Sequence, residues 1–199
     1  MDISALLGTL LSNDSVSNMS QATNVPADSV QSILGAALPS LLTGALGQSE
    51  NDETAEGFAE ALSDHSANDT SDLASFIGNI DLEDGAKIVG HLLGSNSSNV
   101  VNNISEQSGA SEAETSSIMS AVAPMLMSLL GQEASTQKKA NSGLGIADIM
   151  GALLKNVDLG SLISGLLGGG KDEEKPSSKP KDEKEESGGL FGFLGKLFK

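Results

Sequence analysis

The sequence predicts an all-α protein: a multihelical array with an internal pseudo-repeat of proline-kinked amphipathic helices, then a disordered linker and a short C-terminal amphipathic helix. Three observations lead there. Apolar residues recur at helical spacing through the longest apolar segments. Two stretches resemble each other at an offset of 85 residues, Asn18 falling on Asn103. The core-forming residues are Leu, Ile, Val, Ala and Met, and the five aromatics among 199 residues are all Phe, a palette suited to helix-on-helix packing.

The first long segment carries Val30, Ile33, Leu34, Ala37, Leu38, Leu41, Leu42, Ala45 and Leu46. That alternating spacing of three and one places every apolar side chain on one helical face. Pro26 supplies a φ suited to a first turn, and Asp28 favours the positive end of the helix dipole. Pro39 then interrupts the hydrogen-bond ladder. Its missing amide leaves the carbonyl of Gly35 without a helical partner, so a bend is expected there.

The same arrangement returns downstream. Asn18, Ser20, Ile33, Ala36, Pro39 and Leu41 meet Asn103, Ser105, Ile118, Ala121, Pro124 and Leu126, and Pro124 frees the carbonyl of Ser120. A shorter motif, Asp before an apolar residue, two small residues and two apolar ones, starts at Asp2, Asp72 and Asp158. Each instance reads as an Asp-capped short helix. The expected organisation is a helical domain over 1–168, with repeat units at about 2–47 and 72–131. The second unit is enlarged by a helix near Leu82 to Leu93, and extra helices follow at 145–168.

Residues 169–189 read as a flexible charged linker. From Gly168 to Gly189 there is no apolar side chain, both charge signs are mixed and two prolines intervene. Beyond it lies the peptide 190–199. Wound at about 100° per residue, Leu190, Phe191, Phe193, Leu194, Leu197 and Phe198 share an arc of about 160°, with Lys196 and Lys199 opposite. Three of the five phenylalanines sit in this peptide. As a helix it extends about 15 Å, half a bilayer core, so it can lie in an interface but not cross one. Leu190, Phe191, Phe193, Leu194, Lys196, Leu197, Phe198 and Lys199 are therefore the candidate contact residues for a partner or a membrane surface. A helix folded back onto the body is the competing arrangement.

Charge narrows the functions further. Residues 1–137 hold 18 acids and one base, Lys87, whereas 138–199 hold nine acids and ten lysines. A net charge of -16 with no arginine repels nucleic-acid backbones. The stretch ISEQSGASEAETSSIM has helix-turn-helix spacing, with Gly109 in the turn. It would nevertheless aim Glu112 and Glu114 at a polyanion, and no nucleic-acid partner is expected. The absence of cysteine excludes disulfides and thiolate metal sites.

His65 stands beside Asp64, Asp69 and Asp72, and His91 lies in KIVGHLLG, but neither belongs to a ligand pair of recognisable spacing. The string Asp81-Leu82-Glu83-Asp84-Gly85 lacks the alternating ligands and closing Glu of a calcium loop. No GxSxG elbow is present. The expectation is no catalytic residue, no metal and no cofactor.

The chain resembles the YidB-like family of bacterial proteins, also catalogued as a domain of unknown function. The resemblance rests on VPADSVQSILGAALPSLLTGAL (25–46), GAKIVGHLLG (85–94) and SGASEAETSSIMSAVAPMLMSLLG (108–131). It implies an all-helical fold with no established activity, and it does not extend past about Ala140. The reading is thus a non-enzymatic interaction or scaffold protein that binds a protein partner, or another copy of itself, through its tail. A peripheral membrane protein using the same tail is the alternative, and an enzyme or metal binder comes third.

The start Met1-Asp2-Ile3 has no basic segment ahead of an apolar core. The best membrane-span candidate, 143–168, is broken by Asp148, Lys155 and Asp158. A cytoplasmic location follows as the expectation, with reversible contact at a membrane surface through the tail.

Overall fold

The structure, a computed structural model, describes residues 3–140 and Asp148. The caps expected at Asp2 and Asp158, the linker and the tail peptide lie outside the described residues. So do the helices anticipated at 145–168, apart from Asp148. The described residues are all-helical. In chain order they form α1 (Ile3–Leu10), α2 (Asn13–Thr23), α3 (Ala27–Glu50), α4 (Ala55–His65), α5 (Leu73–Gly78), α6 (Leu82–Leu93), a 3-10 turn at Gly94–Asn96, α7 (Ser97–Ser108) and α8 (Glu112–Ala140).

Local chemistry sets where each helix starts and stops. Ser12 caps α2 by accepting from the Ser15 amide at 3.2 Å. Asn24 ends α2 in the left-handed region at φ 58°, a conformation Asn tolerates better than most side chains. Pro26 precedes α3, and its carbonyl accepts the first helical bond, from Val30, at 2.9 Å. Gly109 ends α7 at φ 71°. Ser111 and Glu114 then form a reciprocal capping box at the start of α8: the Glu114 amide donates to Ser111 Oγ at 3.2 Å, and the Ser111 amide donates to Glu114 Oε2 at 2.8 Å.

The apolar face anticipated for α3 is the buried one. Val30, Ile33, Leu34, Ala37, Leu38, Leu41, Leu42 and Ala45 are buried, and Leu46 packs half-buried against them. In α8 the burial is wider, every residue from Ile118 to Gly131 being buried. The reason is position, since α8 packs against each of the other seven described α-helices. Among the described residues α3 and α8 are each long and apolar enough to cross a membrane, whereas the segment 143–168 lies outside the described residues apart from Asp148. The apolar window of α8 is 78% buried inside the body and that of α3 44%.

Both interior prolines sit inside their helices as expected. Each proline carbonyl accepts a hydroxyl from the residue four positions on, Thr43 Oγ1 at 2.8 Å and Ser128 Oγ at 2.9 Å. The Ser120 carbonyl, which Pro124 deprives of its helical donor, is covered by α6. Gly85 packs its backbone directly against Ser120, and a Cβ at Gly85 would overlap the Ser120 carbonyl. Two other glycines allow similar approaches: Gly131 lies against the Leu62 carbonyl, and a Cβ at Gly44 would come within 2.6 Å of the Leu92 oxygen. Backbone-to-backbone contact of this kind draws helices together where a side chain would hold them apart.

Helix α4 has no counterpart in the sequence reading. It buries only Phe58 and Leu62, one turn apart, and so brief a stripe does not separate a helix from a loop by periodicity.

Among the described residues one buried side-chain group lacks a partner. Thr115 on α8 is 0% exposed and its hydroxyl makes no hydrogen bond. Replacing an unpaired buried hydroxyl by a methyl removes its desolvation cost while keeping the shape. Thr115→Val should therefore leave the urea denaturation midpoint unchanged or raise it, whereas Thr115→Ala should lower it by creating a void. A marked loss in the Val variant would mean that the hydroxyl has a partner after all, such as a bound water.

Candidate functional site

The short helix α5 folds two acidic strings of the sequence onto a single cleft. Asp64 and His65 come from the end of α4, Asn68 and Asp69 from the following link, and Asp72 from the cap of α5. Asp81 and Asp84 arrive from the start of α6. Phe76, Ile80 and Pro124 supply an apolar wall. The cleft has a volume of about 640 Å³. In the sequence, the His65 string and the Asp81-to-Gly85 string look unrelated. Nothing local foretells their meeting, which depends on α5 and α6 both packing on α8.

Its wall is clasped to α8 by side-chain amides and hydroxyls. Asn68 Nδ2 donates to Ser128 Oγ at 2.9 Å, Gln132 Nε2 donates to the Asn68 carbonyl at 2.8 Å, and Thr70 Oγ1 donates to Gln132 Oε1 at 3.0 Å. Ser128 in turn donates to the carbonyl of Pro124, which lines the cleft. The link between α4 and α5 is thus fixed by the same helix that forms part of the cleft.

Several of the carboxylates are engaged in ending or starting helices. Asp81 Oδ1 accepts from the Glu83 amide at 2.9 Å and the Asp84 amide at 3.3 Å, capping α6. The Ser75 amide, at 3.0 Å, and the Ser75 hydroxyl, at 2.8 Å, hold the Asp72 carboxyl below the usual carboxylate range. The Ser71 hydroxyl, at 2.6 Å, and then its amide, at 2.9 Å, do the same for Asp69. Glu114 is lowered likewise by the Ser111 amide and hydroxyl.

A carboxylate whose folded pKa is depressed stabilises the protein above its unfolded value, near 4, and loses that contribution as pH falls through the folded value. Asn caps a helix about as well as Asp but does not titrate. The gap in urea midpoint between wild type and Asp72→Asn should therefore be largest at pH 7 and shrink on going to pH 3. A gap independent of pH would show that the charge of Asp72 contributes nothing to stability.

Chemically, the cleft offers carboxylate acceptors around an apolar wall, an environment that favours cationic and disfavours anionic ligands. Among the described residues no three His, Asp or Glu side chains are grouped so as to hold a metal ion. His65 closes α4 and is half-buried, with Asn68 Nδ2 3.4 Å from its Nδ1. His91 is exposed on α6, and its carbonyl accepts from Gln48 Nε2 at 2.9 Å. The base of residues 1–137, Lys87, lies 3.3 Å from Glu83 one helical turn away, an exposed pair of small energetic weight.

The helix-turn-helix spacing corresponds to α7, the left-handed Gly109 and α8. Its acidic residues bond within the chain: Glu112 accepts from Asn102 Nδ2 at 3.1 Å, and Glu114 completes the capping box. Thr115, in the first turn of the second helix, is buried. The tail residues Leu190, Phe191, Phe193, Leu194, Lys196, Leu197, Phe198 and Lys199 lie outside the described residues, so the structure places none of them in the cleft or elsewhere.

The described residues thus form an all-helical body built on one central helix, with an acidic cleft at α4, α5 and α6. The defining pattern of a family described as bacterial protein of unknown function, DUF937, matches residues 5–133, and the chain belongs to that family. Neither a curated protein nor a solved structure matches the chain.

Proposed function

We propose that the protein is a non-enzymatic interaction module that contacts a protein partner through the peptide Leu190 to Lys199, and that within its family it is YidB-like. The carrying observation is the placement of six apolar side chains on one arc directly after a stretch with none. The described body adds weight to this reading. Among residues 7–137 the large apolar side chains are buried or half-buried except Leu82, which is 38% exposed, so that surface offers little apolar area for a partner.

The competing use of the same peptide is reversible contact with an anionic membrane surface, favoured by the positive charges of Lys196 and Lys199 in the same peptide. Both uses share a test. Full-length protein and a Phe191→Asp, Phe193→Asp double variant are compared for cross-linked partner capture in bacterial lysate and for co-sedimentation with phosphatidylglycerol vesicles. Capture lost in the variant at an unchanged melting temperature supports the protein contact, while vesicle binding lost instead supports the membrane reading. Capture and vesicle recovery both indifferent to the double change would remove the tail from either role.

We further infer that the body arose by duplication of a three-helix unit, α1 to α3 matching α6 to α8. At the shared offset of 85, the left-handed Asn24 falls on Gly109, the start of α3 falls on the start of α8, and Pro39 falls on Pro124. Hydroxyl-to-carbonyl bonds fall in step too: Thr23 to Met19 with Ser108 to Ile104, and Thr43 to Pro39 with Ser128 to Pro124. On this reading α6 corresponds to α1, the inserted elements are α4 and α5, and the second unit begins at residue 82 rather than 72.

A further inference from the structure

We draw no further inference here: the strongest candidate, the cleft formed by α4, α5, α6 and Pro124 of α8 around Asp64, Asp69, Asp72, Asp81 and Asp84, is an acidic cluster beside an apolar wall, and nothing in the structure shows what fills or covers it.

Discussion

Gly85→Ala should destabilise the protein by about 3 kcal/mol, at the upper end of what overpacking usually costs, lowering the melting temperature by roughly 10 °C for a chain of this size. The new methyl would meet the Ser120 carbonyl, which is backbone and cannot swing aside as a side chain would. Relief requires α6 to move away from α8. That would uncover Val89 and Leu92, the large side chains that α6 buries.

Gly90 provides the control, because it lies in the same helix but has open space where its Cβ would stand. Gly90→Ala should gain about 0.5–1 kcal/mol from helix propensity alone. Urea denaturation of the two variants separates the effects. Similar midpoints for both would mean that α6 does not cross α8 as closely as the structure shows.

The second large effect comes from the core. Leu41→Ala and Leu126→Ala should each cost about 2–5 kcal/mol, the range for removing a buried Leu side chain without full collapse of the void. Leu41 is 0% exposed and Leu126 is 1% exposed. They occupy matching positions two residues after Pro39 and Pro124. Against a typical total stability of about 5–15 kcal/mol, either truncation should shift the urea midpoint visibly, and the double variant should be largely unfolded at moderate temperature. A truncation costing under about 1 kcal/mol at either site would show that its helix does not contribute to the shared core.

The long helices were legible because their signal is redundant. Nine apolar positions in α3 agree on one face, and eight of them are buried. The α6 boundaries follow from Asp81 as the cap and from Gly94, at a φ of 57°, just beyond Leu93. Helix α5 is short but announces itself through Asp72. What stayed hidden depends on neighbours. Helix α4 buries only Phe58 and Leu62 and is held by them and by the approach of Gly131 to the Leu62 carbonyl. The cleft is hidden for the same reason, since Asp64 and Asp84 come to line one cleft only through the packing of separate helices. The contact of Gly85 with Ser120 was half visible. Pro124 marks the freed carbonyl in the sequence, but nothing local indicates which residue covers it.

The central place of α8 bears on how the chain is made. Synthesis runs from the N-terminus, and every described helix before residue 112 has α8 among its packing partners. A nascent chain that stops short of residue 112 therefore leaves α1 to α7 without the helix against which each of them packs. Ribosome stalling or premature termination upstream of that point would release a sticky fragment for chaperones or proteases to handle.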